Sequence, residues 1–305
     1  MERATSELDR LPQGARVAIV RLRSMGDCVL TTPAIDILKS TRPDLQIAVV
    51  VENRFRAIFD GNPAIAAILE PTLAQIYHWR AGLCLNLHGG RRSMLLTIAS
   101  RAPRRAGFAH HRGSVLYHIR IPRAQEILGV ERPVHTAEHL ASAMFYLGCP
   151  LQEIPRARLY AAATHTSTPY AVLHPTAAAQ YKTWPADRFV AVARHIQQSL
   201  NLEPVLIGAA SDDMTPFQSF RVISGAPLEE IKALISGASL FAGNDSGPAH
   251  IAAAFDIPLL VLYGRVEHQV TWAPWRATSA ATLVDPQGIA AIPAQDAIAA
   301  IRRLR

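Results

Sequence analysis

From Arg16 onward, short aliphatic and β-branched runs alternate with longer stretches of helical periodicity. VAIVRL is followed by an amphipathic stretch over about 28–39, IAVVV by a helix near Phe55, and CLNLH at 84–88 by a glycine pair and a basic helix start. Apolar runs without alternation read as strands covered on both faces, and such strands separated by helices read as a parallel α/β sheet. VHTAEHLASAMFYLG at 134–148 keeps a helical period and stops at Gly148, a residue suited to the position after a helix end. The next segment, 150–169, carries three prolines and small polar residues. It marks a boundary between one domain over 1–160 and a second over 161–305. The same rhythm then resumes in YAVLH, a helix from about Pro185, PVLIG, a helix over 228–236, SLFAG, a helix over 248–255 and LLVLYG. No sequence repeat relates the halves, yet each predicts a Rossmann-like unit, and two in tandem imply a cleft. Ligands of open α/β sheets bind beyond the carboxyl ends of the strands. The loops after Leu22, His88, His174, Gly208 and Gly243 are therefore expected to line that cleft.

Half of the 305 residues are hydrophobic, enough for two substantial cores; 18% are charged, with a formal net charge of +7. That excess, and an isoelectric point near 9.7, is either a solvated face or a surface turned toward something acidic. Nucleic acid, anionic lipid and phosphorylated sugar all qualify, and arginines such as Arg54, Arg56, Arg91, Arg92 and Arg120 crowd the first half. Nucleic acid is not expected as a partner, because no recognition motif or aromatic platform accompanies the charge. Cys28, Cys84 and Cys149 are widely spaced in apolar surroundings, which argues against a disulfide framework or a zinc site. The histidines show neither HExxH nor Cys/His ligand spacing, so no metal and no cofactor are expected. No apolar run reaches the roughly 18 residues of a membrane span, and MERATSELDRLPQGAR lacks the apolar core of a signal peptide. A cytoplasmic location is the expectation.

Candidate chemistry concentrates at strand-to-helix turns. In LFAGNDSGPAHIAAAFDIPLL, Asp245, Ser246 and Gly247 are cap and turn residues, and Pro248 suits a first helical turn. The start of such a helix offers unsatisfied N–H groups and positive potential to a phosphate or diphosphate, although a plain capped helix has the same sequence. His250 lies about one turn inside, as a ligand contact or as a packed helix residue. HPTAAAQYKTWP places Thr176 and Lys182 in a loop that would complete a diphosphate clamp if it adjoins the Asp245 turn. Near the start, RLRSMGDCVLTTP has one glycine, Gly26, where a dinucleotide fingerprint needs three. What remains there is an acid, Asp27, which is either a helix cap or a catalytic group.

In their order and spacing, SMGDCVLTTPAIDILKSTRPD, LHGGRRS, HPT with YKTWP, and GNDSGPAHIAAAF resemble glycosyltransferase family 9, the bacterial ADP-heptose:lipopolysaccharide heptosyltransferases. The resemblance runs from about Arg16 to the final helix. It implies a GT-B fold, an α/β architecture of two Rossmann-like domains whose parallel sheets face across a cleft. It also implies metal-independent, inverting transfer of heptose from ADP-heptose to an acidic inner-core lipopolysaccharide acceptor. The first domain would bind acceptor and the second the nucleotide sugar, with AQDAIAAIRRLR packing back on the first. By matching motifs, Asp27 takes the place of the general base. Lys182 and the amides around Ser246 and Gly247 take that of the diphosphate cradle, and Asp245, His250 and Thr176 join the donor site. Arg54, Arg56, Arg91 and Arg92 would pair with acceptor carboxylates and phosphates, and the basic half could also touch the anionic inner membrane. Thr176 stands where the family more often has glycine, and Arg265 where it has proline, so another donor stays compatible. A nucleotide-sugar binding protein without turnover, or a nucleotide-sugar epimerase, would share these features.

Overall fold

The computed structural model describes residues 6–162 and 168–304. The chain forms two compact units, one ending at Tyr160 and the other beginning at Ala161. In the first, strands β1 (Arg16–Val20), β2 (Gln46–Val50), β3 (Ala67–Leu69), β4 (Leu83–Asn86), β5 (Arg104–Phe108) and β6 (Ile119–Ile121) form one sheet. Its order is β3-β2-β1-β4-β5-β6 and every pairing is parallel. The central strands β1, β2 and β4 are the apolar runs read from the sequence, and Val17 to Val20, Ile47 to Val50 and Leu83 to Leu85 are fully buried. Such strands need cover on both faces. It comes from α1 (Met25–Val29), α2 (Thr32–Thr41), α3 (Leu73–His78), α4 (Arg91–Ala99), α5 (Ala124–Leu128) and α6 (Thr136–Leu147), with α2 packed on α6 and α3 on α4.

The single helix expected over 28–39 is two. Pro33 has no N–H, and its ring would collide with the carbonyl four residues back, on Val29. The chain therefore breaks at Leu30 and Thr31, and hydroxyls take up the released carbonyls: Thr31 Oγ1 donates to Asp27 O at 2.7 Å and Thr32 Oγ1 to Val29 O at 2.9 Å. The helix expected near Phe55 is a 3-10 segment, Asn53–Ile58.

The second unit repeats the plan. Strands β7 (Tyr170–His174), β8 (Glu203–Gly208), β9 (Arg221–Ser224), β10 (Leu240–Asn244), β11 (Leu259–Tyr263) and β12 (Ala280–Val284) form a parallel sheet of order β12-β11-β10-β7-β8-β9. Counted from β7, this is the order of the first sheet. The connecting helices are α7 (Ala186–Leu200), α8 (Leu228–Ser236), α9 (Gly247–Ala254), α10 (Val266–Trp272) and α11 (Ala294–Arg303). The final helix, for which the family resemblance implies a return to the first unit, buries Ala297, Ala300 and Ile301 in its own unit's core beside Trp184, Phe189 and Leu260. Among the described residues no helix is long and apolar enough to cross a membrane, and the three cysteines are buried and free. In each sheet the connections reverse direction once, between β1 and β4 and between β7 and β10. Those are the points at which such sheets bind ligands.

Candidate active-site groups

In the second unit, β7 and β10 are parallel neighbours, with Gly243 opposite His174, so the loops leaving them adjoin. Asn244, the last residue of β10 and fully buried, ties them together. Its side-chain carbonyl accepts from Trp184 N at 3.2 Å and its amide donates to Pro175 O at 2.9 Å. This brings Lys182 over the turn before α9, where its Nζ donates to Asp245 Oδ2 at 2.6 Å. The Asp245 side chain is 5% exposed and that of Lys182 21%, so the lysine is the solvent-facing half of the pair. Its Nζ lies 5.6 Å from the centre of the Trp272 ring, and His268 Nδ1 lies 3.5 Å from the same carboxylate oxygen. Burial, and then the Lys182 charge, hold the His268 imidazole below its usual range.

At the start of α9, Ser246 is extended and its side chain caps no helical amide. Its hydroxyl donates instead to Asn244 O at 3.1 Å and stands 2.9 Å from His174 Nδ1. Burial pushes His174 down to about 4, so it is neutral at physiological pH. Uncapped amides and the positive helix end make Gly247 a natural neighbour for an anion. Thr176 Oγ1 donates to Asp212 Oδ2 at 2.5 Å, which also accepts from Ala209 N at 2.8 Å. A cavity of about 700 Å³ is lined in part by Thr176, Tyr181, Trp184, Asp213, Gly264 and Gln287. Thr176, Lys182, Asp245, Ser246 and Gly247 thus come together at one switch point. His250 is buried within α9, 6% exposed.

In the first unit, Asp27 is the third residue of α1, and its Oδ2 accepts from Ser24 N at 3.3 Å and Ser24 Oγ at 3.1 Å. It therefore does cap the helix, while its side chain remains 30% exposed. Beneath it lies Arg21, just past β1, with a side chain 7% exposed and Nη1 3.9 Å from Asp27 Oδ2. Nη2 of Arg21 donates to Leu87 O. On the neighbouring loop, Asn86 Oδ1 accepts from the amides of His88 and Gly89 at 3.0 and 3.1 Å, and its Nδ2 donates to Tyr117 Oη at 2.8 Å. Asn86 and Asn244 end equivalent strands of the two sheets and do the same work, each organising the loops at a switch point.

The four arginines assigned to an acceptor do not form one group. Arg54 and Arg92 converge on Glu52, at 2.8 and 3.3 Å. Arg56 donates to Ile68 O at 3.1 Å and lies 3.5 Å from Asp60, and Arg91 is exposed at the first position of α4. Arg21, Asn86, Asp212, His268 and Trp272 escaped sequence reading, because each acts through a partner remote in the chain or through burial. One signal was available for the asparagines: both close an apolar strand run, LCLN and LFAGN.

The sequence model described as glycosyltransferase family 9 (heptosyltransferase) matches residues 75–296. The segment carrying Asp27 precedes that match. Lipopolysaccharide heptosyltransferase 3 of Escherichia coli K12 is 28% identical over 290 residues, spanning 83% of each chain. Among solved structures, a family 9 glycosyl transferase from Veillonella parvula DSM 2008 superposes with a TM-score of 0.83 at 19% identity, over 95% of this chain and 97% of the other. The E. coli heptosyltransferase WaaC, solved with ADP, gives 0.78 at 18% identity, over 95% and 100%. The shared architecture is the α/β GT-B class, with two Rossmann-like units each built on a parallel sheet.

Proposed function

The chain belongs to glycosyltransferase family 9, the heptosyltransferases, and we propose that it transfers heptose from ADP-heptose to an acidic inner-core lipopolysaccharide acceptor by metal-independent inversion. The names of its relatives support the substrates: a lipopolysaccharide heptosyltransferase in sequence and a heptosyltransferase solved with ADP in structure. The observation that carries the reading is Lys182, held at 2.6 Å by a buried carboxylate over the uncapped start of α9.

Transfer breaks the acceptor O–H bond, whose proton goes to Asp27, and forms a bond from that oxygen to the anomeric carbon. The bond from this carbon to the diphosphate oxygen breaks, and its electron pair leaves with ADP. Inversion requires the base on the face opposite the leaving group, through an oxocarbenium-like transition state. Charge grows on the diphosphate as the bond lengthens. Lys182 and the α9 amides are fixed positive elements suited to stabilise it, with Asp245 holding the ammonium in place until the phosphates arrive. Ser246, Gly247, Thr176 and His250 complete the donor side. On the acceptor side, Arg54 and Arg92, paired through one glutamate, and Arg56 and Arg91 meet carboxylates or phosphates of the saccharide, and the same charge favours an anionic membrane surface.

Calorimetry with ADP, UDP, GDP and CMP in the presence of EDTA tests the donor side. The wild type should prefer ADP, and Lys182→Ala should weaken it about tenfold to a hundredfold, the cost of a charge-assisted hydrogen bond. Equal affinities in the two proteins would remove Lys182 from the cradle. Sugar isomerisation without any acceptor would favour the epimerase reading instead.

A further inference from the structure

We propose that Arg21 is a positioning residue for transfer: its guanidinium anchors the Asp27 carboxylate through Oδ2, leaving Oδ1 to receive the acceptor proton. The inference rests on Asp27 being the base. Every hydrogen bond and ion pair described for that carboxylate goes to Oδ2, from Ser24 N, Ser24 Oγ and Arg21. Two oxygens in different surroundings are what a directional proton acceptor needs.

Arg21 is a costly residue to place here. It is 6% exposed at the end of a buried strand, and its Nε is buried without a hydrogen-bond partner. Among the described residues, Asp27 is the carboxylate within ion-pair distance of it. A buried charge must be paired, so the two groups are held together by mutual need.

Among the described residues no other cation lies within ion-pair distance of Asp27. Arg23 is exposed to solvent, which screens it. His88, His111 and His139 face the pair from the loop after β4, the loop after β5 and α6, and burial holds all three imidazoles below their usual range. Cys28, on α1, is pushed up to about 12 by burial and stays a thiol. Glu52 is occupied by Arg54 and Arg92. Arg21 is therefore the cation that anchors Asp27.

The experiment measures kcat and KM for ADP-heptose in the full-length wild type, Arg21→Gln, Arg21→Lys and Asp27→Asn. Arg21→Gln should lower kcat roughly tenfold or more, as expected when a base is mispositioned, with KM for the donor little changed. Arg21→Lys, which keeps the charge on a shorter stem, should recover part of that loss. An undiminished kcat in Arg21→Gln, a rise in KM as large as the fall in kcat, or a lysine variant as impaired as the glutamine one overturns the proposal. Should the glutamine variant not fold, the lysine variant decides alone: a kcat equal to that of the wild type overturns the proposal. Full turnover in Asp27→Asn would remove the base itself. Loss of turnover there, with an undiminished kcat in Arg21→Gln, would remove only the role of Arg21.

Discussion

In the proposed transfer Asp27 and Lys182 carry the two halves of the chemistry; Asp27 is held by its near neighbours Ser24 and Arg21, whereas Lys182 owes its placement to residues far from it in sequence. Lys182 is fixed by Asp245, and the loop that bears it by Asn244 through Pro175 O and Trp184 N. The turn before α9 was legible because turn and cap types cluster where a strand meets a helix. Arg21 was not, because an arginine following an apolar run looks like the end of burial rather than a buried charge. The Asp212 partnership with Thr176 is likewise invisible across the intervening strand and helix. For Asp27 the expected outcome is separation of binding from chemistry. Asp27→Asn should lower kcat by about a hundredfold to ten-thousandfold, the usual contribution of a general base, with ADP affinity by calorimetry within about twofold. Parallel loss of both would make Asp27 a structural cap.

Central elements were readable from their unbroken apolar runs, whereas β5 and the edge strands β3 and β9 were not. β5 begins with two arginines, β3 is a half-buried three-residue strand, and β9 exposes both ends, so none shows the hydrophobic signature of a covered strand. The break between α1 and α2 followed from Pro33, whose effect on the preceding turn outweighed the continuous amphipathic pattern. At the junction of β11 and α10, Gly264 is required by a close approach: a Cβ there would stand 2.1 Å from the Tyr181 carbonyl oxygen. That carbonyl belongs to the 3-10 turn Gln180–Lys182, so a side chain at 264 would push the lysine loop off its seat. Gly264→Ala should cost about 1–3 kcal/mol in thermal or denaturant unfolding, the range for overpacking, and weaken ADP binding at the same time. An alanine variant with unaltered stability and affinity would show that the loop is free to move.

Across the whole molecule, two units without a recognisable sequence repeat share one strand order, since burial patterns tolerate many sequences while handed parallel connections allow few topologies. The fold class could therefore be read from the chain, and the equivalence of Asn86 with Asn244 could not. Acid should weaken the fold through histidines of both units. His111 and His139 in the first and His174 in the second are all pushed down by burial to about 4, from 6.5. Between those values the unfolded chain binds more protons than the folded one, so stability rises with pH there. It is complete above about 6.5, and is lost as pH falls through 4. Chemical denaturation at stepped pH should show a falling midpoint across that window, and His139→Phe should flatten the fall; a midpoint constant from pH 7 to 4.5 would contradict the burial of neutral imidazoles. The proposed heptosyl transfer, with Asp27 as base and Lys182 in the phosphate cradle, is tested most directly by turnover. Wild type and Asp27→Asn would be incubated with ADP-heptose and an inner-core acceptor in EDTA, and the acceptor mass followed. The gain of one heptose with stoichiometric ADP release is expected in the wild type, and near-complete loss in the variant. An unchanged acceptor mass, or undiminished transfer by Asp27→Asn, would contradict it.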